Sequence, residues 1–98
     1  MKCCARVSAV SYLGERRLQV VFDDGLIRQL DFLSNWQGNL DCLNRDDFLA
    51  QVAVDHVAHT LCWPNGVDLD PEILYGSHKP AMGDQYFTVV GEIKAVRT

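Results

Sequence analysis

The strongest constraint on the fold lies in residues 17–32. Two runs of leucine, β-branched and aromatic residues flank the triplet Asp23-Asp24-Gly25. Glycine adopts the positive φ that tight hairpin turns require, and aspartate is common in the same turns. We therefore predict an antiparallel hairpin, although the spacing alone leaves its register open. One facing set that the alternation allows is Leu18, Val20 and Phe22 against Leu26, Arg28 and Leu30.

A shorter strand is predicted ahead of this hairpin, over residues 7–12. Apolar and small polar residues alternate there, as is typical of a strand with one buried face. The alternation is imperfect, because Val7 falls on the opposite parity from Val10 and Tyr12. Residues 13–16 are predicted to close the strand.

After the hairpin the pattern indicates loops and short helices. Residues 33–41 carry turn-forming residues, so we predict a loop or a single helical turn in which Trp36 packs over the sheet. Residues 44–51 are predicted as a short helix with Asn44 as its N-cap. Two aspartates follow in the first turn, where the helix dipole favours negative charge.

A second hairpin is predicted from residues 52–55 and 60–63, with His56 and His59 in its turn. Together with Cys62, these histidines are potential metal ligands at a spacing of three residues. Residues three apart on a strand point to opposite faces, so this spacing does not bring the three side chains to one site. We therefore prefer the interpretation of two exposed turn histidines beside a packed thiol, and no metal site is predicted.

Residues 63–76, WPNGVDLDPEILYG, have a composition typical of either a functional site or a turn followed by a short helix. Pro64 restricts Trp63 to an extended conformation, which suits the end of a strand, and Trp63 is assigned to the core. Asn65 and Gly66 tolerate left-handed backbone and so predict a tight turn. The first half of the segment therefore has a structural explanation.

The second half is predicted to be a brief half-buried strand that leads into a capped helical turn. Asp70 is the predicted N-cap, Pro71 the first helical residue and Gly76 the terminator. The alternatives are an acidic calcium loop and a pair of catalytic carboxylates. The sixth position from Asp68 is isoleucine where an EF-hand needs glycine, and no partner for acid–base work is evident. Capping is the preferred interpretation, and the role of Asp68 stays open.

The remaining segment is predicted as a connector, residues 77–85, and a terminal strand, residues 86–96. The strand has three candidate partners, namely its own sheet, a second copy of the chain and another protein. Residues predicted to share one of its faces are Phe87, Val89, Ile93 and Ala95. Candidate interface residues are Trp36, Val89, Val90 and Ile93.

Composition disfavours several classes of protein. The 98 residues fit one domain, residues 1–98, and 22% of them are charged. No apolar run reaches membrane-spanning length and no secretory signal is evident, so we expect a cytoplasmic protein without a membrane partner. A net charge of −4 with scattered basic residues disfavours nucleic acid. The four cysteines lack redox or zinc spacing, so free thiols are expected.

The order of these features resembles one protein family. The run W-P-N-G-x-D-L-D-P-E-x-L-Y follows the strand pair around the D-D-G turn and a short helix that contains Phe48. This arrangement is similar to the bacterial domain-of-unknown-function family 2442 (DUF2442), single-domain type, over about residues 6–76. The motif residues are Trp63, Pro64, Asn65, Gly66, Asp68, Asp70, Pro71 and Tyr75.

The resemblance implies a small α+β domain from a family without established activity, catalytic residues or cofactor. Some members carry a C-terminal helix-turn-helix segment. Others are single domains encoded beside another short protein, in arrangements that look like toxin–antitoxin pairs. Residues 77–98 are too short and too β-like for two packed helices, which disfavours the DNA-binding form.

We therefore expect an α+β fold: a small antiparallel sheet of hairpins, with one or two short helices packed on it and a C-terminal strand. The expected function is a non-enzymatic protein-binding module, antitoxin-like, that binds an operon neighbour or forms a homodimer. The alternative is a transcriptional regulator or DNA-binding accessory protein. No catalytic residue, cofactor or metal ligand is predicted, because no nucleophile-elbow, dinucleotide or phosphate-loop pattern occurs.

Overall fold

The structure is a computed structural model, and it describes residues 6–75 and 87–94. Its strands are β1 Val7–Gly14, β2 Arg17–Phe22, β3 Leu26–Phe32, β4 Ala53–Asp55, β5 Thr60–Cys62 and β6 Phe87–Lys94. Its helices are a 3₁₀ helix Gly38–Asn44, α1 Asp46–Leu49 and α2 Pro71–Tyr75. Strands β1, β2, β3 and β6 form one antiparallel sheet in that order, and β4 pairs with β5. The predicted α+β fold is therefore confirmed.

The central hairpin, β2 and β3, forms around the predicted turn. Gly25 has a φ of +94°, and its amide donates to the Phe22 carbonyl at 3.0 Å. The Asp24 carboxylate accepts from the Leu26 amide at 3.0 Å. The turn is therefore stabilised by Asp24 and Gly25, two of the residues on which its prediction rested. The register agrees with the predicted facing set, with the pairs Leu18–Leu30 and Val20–Arg28.

Strand β1 pairs with β2 and continues beyond the predicted end, to Gly14. Ser8 is an extra residue in β1 relative to β2. A one-residue bulge reverses the alternation of side chains on its far side. Val7 therefore lies on the same face as Val10 and Tyr12, and all three pack in or against the core.

The turn between β1 and β2 consists of Glu15 and Arg16, whose φ values are +54° and +66°. Such turns usually contain asparagine or glycine at these two positions, whereas here the glycine, Gly14, lies one residue earlier. The half-buried Arg16 side chain compensates by fastening the turn to the layer that covers the sheet. Its guanidinium donates to the carbonyls of Phe32 (2.9 Å), Leu33 (2.7 Å), Leu43 (2.8 Å) and Asn44 (3.2 Å) and to the Asp46 carboxylate (2.8 Å).

Strand β6 pairs with β3, so the predicted terminal strand joins its own sheet and, among the described residues, forms one of its edges. Val90 is an extra residue in β6 relative to β3. The prediction that Phe87, Val89 and Ile93 share a face is therefore wrong. The bulge leaves Phe87 and Val89 on the core face, where Phe87 stacks on Phe32 at 5.5 Å, and turns Ile93 to the opposite face.

The helix predicted over residues 44–51 is shorter in the structure, and the prediction that Asn44 caps it is wrong. The 3₁₀ helix extends to Asn44, which puts this residue one position too early to cap α1. Its carboxamide instead closes the preceding loop. It accepts from the Trp36 amide at 2.8 Å and donates to the Trp36 carbonyl at 2.9 Å.

The second hairpin is confirmed, with both histidines in its turn. The Asp55 carboxylate organises that turn by accepting from the amides of Val57 at 2.9 Å and Ala58 at 3.1 Å. The His59 carbonyl accepts from the Val7 amide at 2.9 Å. This bond joins the small hairpin to the start of β1.

The core lies between one face of the four-stranded sheet, which we name the core face, and the helices and second hairpin. Trp36 stacks on Phe32 at 5.5 Å, which confirms that it packs over the sheet. The opposite side of the sheet is the outer face. The buried apolar residues are Val7, Leu18, Val20, Phe22, Leu26, Leu30, Phe32, Trp36, Leu43, Leu49, Leu61, Trp63 and Leu74.

Several predictions concern residues outside 6–75 and 87–94. They are the Gly76 terminator, the connector 77–85, strand residues 86, 95 and 96, and the thiols of Cys3 and Cys4. Of the described cysteines, Cys42 and Cys62 are free thiols, as expected. The assignment of residues 1–98 to a single domain stays a prediction.

Candidate functional site

The motif segment starts with a buried tryptophan and a tight turn. The Trp63 ring is buried, and its indole N–H donates to the Leu49 carbonyl at 3.1 Å. Gly66 has a φ of +91°, and its amide donates to the Trp63 carbonyl at 3.0 Å. The Asn65 carboxamide accepts from the Val67 amide at 3.1 Å. The core role of Trp63 and the predicted turn are therefore both present.

Residues 67–70 run beside β5 as a short extended segment. The Leu69 amide donates to the Leu61 carbonyl at 3.2 Å, and Asp68 forms an isolated bridge with Cys62. Val67 and Leu69 are half-buried against the core. The carboxylates of Asp68 and Asp70 are exposed, so the predicted alternation of buried and exposed residues is confirmed.

The segment ends in α2, which starts as predicted. The Asp70 carboxylate accepts from the Glu72 amide at 2.9 Å, and Pro71 is the first helical residue. Tyr75 then contacts the central hairpin. Its hydroxyl donates to the Asp24 carboxylate, and its ring meets Phe22 edge-on at 4.9 Å. The motif and the D-D-G turn, which are far apart in sequence, thus form one connected structural unit.

Arg28 extends this unit to β6. Its guanidinium lies 3.0 Å from the Glu92 carboxylate and donates to the Leu74 carbonyl at 3.4 Å. The arginine is half-buried on the core face, where the sequence alone gave it no partner. Strands β3 and β6 and helix α2 are therefore held together by one side chain.

The hairpin histidines and Cys62 are the potential metal ligands that the sequence contains in this region. Among the described residues no three or more His, Cys, Asp or Glu side chains are grouped to hold a metal ion. Amide donors from Ala58 and Val57 lower the pKa of Asp55, as expected for a carboxylate that organises a turn. Burial, with the charges of Asp55 and Asp68, raises the pKa of the Cys62 thiol, which makes it a weak nucleophile at neutral pH.

The candidate interface residues separate into two groups. Trp36 is only 5% exposed, so its ring belongs to the core and not to a binding surface. On β6, Val90 is 44% exposed and Ile93 is 62% exposed, and Val89 is also exposed. Half of the large apolar side chains that are exposed in the described residues come from this one strand; the others are Leu13, Leu33 and Val57.

A line of apolar residues crosses the outer face of the sheet, and the sequence did not predict it. Ala9, Val21, Ile27 and Ile93 are direct partners across all four strands, which places them in one line on this face. We name this line the apolar row. Parity along each strand cannot reveal it, because the bulges at Ser8 and Val90 shift both edge strands by one residue.

None of the helices in residues 6–75 and 87–94 combines the length and apolarity that crossing a membrane requires. Comparison with characterised proteins and with solved structures finds no significant match. The family model described as a protein of unknown function (DUF2442) matches residues 7–80, from the first residue of β1 to beyond α2. The chain therefore belongs to the DUF2442 family.

Proposed function

We propose that this protein is a non-enzymatic protein-binding module that holds its partner through β6. The observation that carries the proposal is the concentration of exposed apolar side chains on an edge strand of the sheet. An edge strand presents backbone N–H and C=O groups along its open side. An extended segment of another protein can pair with them while the side chains set specificity.

The position of β6 relative to the family match supports this choice. The match ends at residue 80, and β6 begins at Phe87. The edge is thus built by a part of the chain that the shared family pattern does not include. Such a segment can be specific to the partner of this protein while the matched residues supply the scaffold.

The bulge at Val90 refines the mode of binding. A bulge twists an edge and discourages indiscriminate pairing with other strands. The paired stretch therefore divides into a part before Val90 and a part after it, with Val89 on the core face and Ile93 on the outer face. A partner that follows this edge must accommodate the bulge, which favours one cognate segment over unrelated strands.

Charge supports a protein partner over nucleic acid. Arg16, Arg28 and Arg45 lie in ion pairs with Asp46, Glu92 and Asp47. Binding to a phosphate backbone depends on basic side chains that neutralise phosphates. Each of these three arginines is paired with an acid of the same chain and the net charge is −4, so the transcriptional-regulator alternative has less support.

More specifically, this protein would be the antitoxin-like member of a two-protein system and would act by binding and occluding the product of a neighbouring gene. The test is affinity capture of that product, followed by titration calorimetry with purified proteins. We expect Val90→Lys to weaken binding at least tenfold, because the substitution puts a charge at the apolar edge. Val57→Lys is the matched control, since Val57 is 91% exposed at the tip of the second hairpin.

The two variants should keep the thermal stability of the parent protein. Growth rescue on co-expression with the neighbouring product distinguishes the antitoxin-like form from simple association. Failure of the neighbouring product to bind, or equal affinity of the parent and Val90→Lys proteins for it, would refute the use of the β6 edge. A salt-sensitive shift of the upstream DNA in gel electrophoresis would favour the regulator instead.

A further inference from the structure

The outer face of the sheet is uncharged over two adjacent lines of residues. The apolar row consists of Ala9, Val21, Ile27 and Ile93. Beside it lies a polar row made of direct partners in the same four strands. Its members are Ser11, Gln19, Gln29 and Gly91, and we name it the amide row.

A hydrogen bond links the two glutamines of the amide row. The Gln29 amide donates to the Gln19 carboxamide oxygen at 3.1 Å. A Cβ at Gly91 would lie 3.1 Å from the Gln29 amide oxygen, which is tighter than ordinary packing. Glycine at this position therefore leaves room for the glutamine side chain to lie across the strand. The result is a surface without a projecting charged group.

The apolar row is not part of the core. The half-buried apolar side chains of these strands that pack against the core are Val10, Tyr12 and Phe87, from the other face. Ile93 is 62% exposed and Ala9 is exposed, while Val21 and Ile27 are half-buried. An antiparallel sheet that faces water on one side normally carries polar residues there. Apolar residues in line across four strands therefore indicate a surface that is covered by another layer.

From this face we infer that a second copy of the chain is the occupant, docked sheet to sheet through the apolar and amide rows. A twofold contact brings identical patches together, so each charge in the patch would face its own copy. The chain carries a net charge of −4, yet none of the eight positions in the two rows is ionisable. The patch can therefore meet itself without like-charge repulsion.

The same absence of charge argues against other occupants. A basic protein would be matched by carboxylates in the patch, and a nucleic acid by lysine or arginine. Neither kind of residue occurs in the two rows. Depletion of charge is also the feature that marks the centre of protein–protein interfaces.

The size of the patch limits the strength of the contact. Four strands, each about 4.8 Å wide, and two rows, each about 7 Å deep, give an area of about 270 Å² per copy. A standard stable interface buries roughly 800 Å² per partner. We therefore expect a weak dimer that forms reversibly as the concentration rises. The contact covers the Ile93 side chain but leaves Val90 and the open backbone edge of β6 accessible, so dimerisation is compatible with partner binding at that edge.

Sedimentation velocity of the full chain over a wide range of concentration tests the inference. The parent protein should shift from monomer to dimer. Ile27→Lys should stay monomeric, because the twofold axis would bring two lysines into one apolar contact. Val57→Lys is the matched control and should dimerise like the parent. If Ile27→Lys does not fold, Gln29→Lys places the same charge in the amide row and should also remain monomeric.

Isotope-filtered NMR on a mixed sample identifies the surface directly. Methyl groups of Val21, Ile27 and Ile93 should show contacts to the other copy. A parent protein that is monomeric at every concentration would overturn the inference, as would contacts from these methyls to residues 1–5 of the same chain. A dimer abolished by Val90→Lys and retained by Ile27→Lys would place the contact at the β6 edge and also overturn it.

The outcome separates this inference from the proposed function. Ile27→Lys should remove the dimer while it leaves the affinity for the neighbouring gene product unchanged. Val90→Lys should weaken binding to the neighbouring gene product while it leaves the dimer unchanged.

Discussion

The two faces of the four-stranded sheet use similar residues in different surroundings. On β2, Val20 lies on the core face and is fully buried, whereas Val21 lies on the outer face and is half-buried. On β3, Leu30 and Ile27 show the same contrast. The apolar character of a residue therefore does not identify its face. Its position relative to the bulges and to its cross-strand partners does, since one inserted residue exchanges the faces.

The largest expected effect comes from the layer that covers the core face. Trp63→Ala should lower the free energy of unfolding by about 3–5 kcal/mol, because it opens a cavity beside α1 and removes one of the two donors to the Leu49 carbonyl. Chemical denaturation measures the change. A loss below about 1 kcal/mol would mean that the core face is not sealed by this ring, and the contrast between faces would fail.

Arg16→Met tests how that layer is fastened to the sheet. Methionine keeps much of the aliphatic length but removes the guanidinium donor from four carbonyls, of which Leu33 also accepts from the Trp36 indole. We expect a loss of about 2–4 kcal/mol, since hydrogen bonds to a charged group contribute roughly 1.5–3 kcal/mol each and water can replace some of them. Arg17→Met, at the neighbouring exposed arginine, is the control and should change stability little. Equal losses would point to a general effect of charge.

The sharpest test of the comparison uses one substitution at two adjacent positions. Val20→Thr buries a hydroxyl on the core face and should cost about 1–3 kcal/mol. Val21→Thr puts the same hydroxyl on the outer face and should change stability by less than about 0.5 kcal/mol in dilute solution. If the two variants were equally stable, the assignment of β2 to these faces would be incorrect.

The melting temperature of Val21→Thr should also be measured at several protein concentrations. A dimer stabilises the folded state by mass action, so the parent should gain melting temperature at high concentration. Val21→Thr should gain less, because its outer face is more polar. Val20→Thr should show the gain of the parent.

The smallest expected effect lies at the start of α2, beyond the sheet. Asp70→Ala removes the carboxylate that accepts from the Glu72 amide and should cost about 1 kcal/mol. Asp68→Ala is the matched control two residues earlier, at an exposed acid outside the helix. Thermal unfolding of both variants checks the difference. A larger loss for Asp68 would reveal a structural role that the capping interpretation does not include.

Local chemistry made much of the fold predictable. Asp24 and Gly25 form their turn with bonds inside the five residues 22–26, and Asp70 caps α2 through an amide two residues away. Such interactions depend on neighbours in sequence, so composition and spacing are enough to predict them. The same holds for the second hairpin and for the buried position of Trp63.

Asn44 and Arg16 show where sequence reasoning fails. Asparagine before two aspartates is a normal cap signal, yet Asn44 serves a loop that a preceding 3₁₀ helix brings close. Arg16 holds a turn with positive φ because carbonyls from two distant segments, residues 32–33 and 43–44, surround it. Neither partner set is visible in the residues next to them.

The sequence by itself determined the two predicted hairpins and the capped helix, because each rests on residues within a few positions of one another. It also determined the family, through the motif in residues 63–75 and the order of the features before it. Only the tertiary structure decided which face each edge strand presents, and thereby exposed the apolar row. The physical reason is the two-residue period of a strand: a single bulge reverses it, and the bulges at Ser8 and Val90 are set by pairing with β2 and β3.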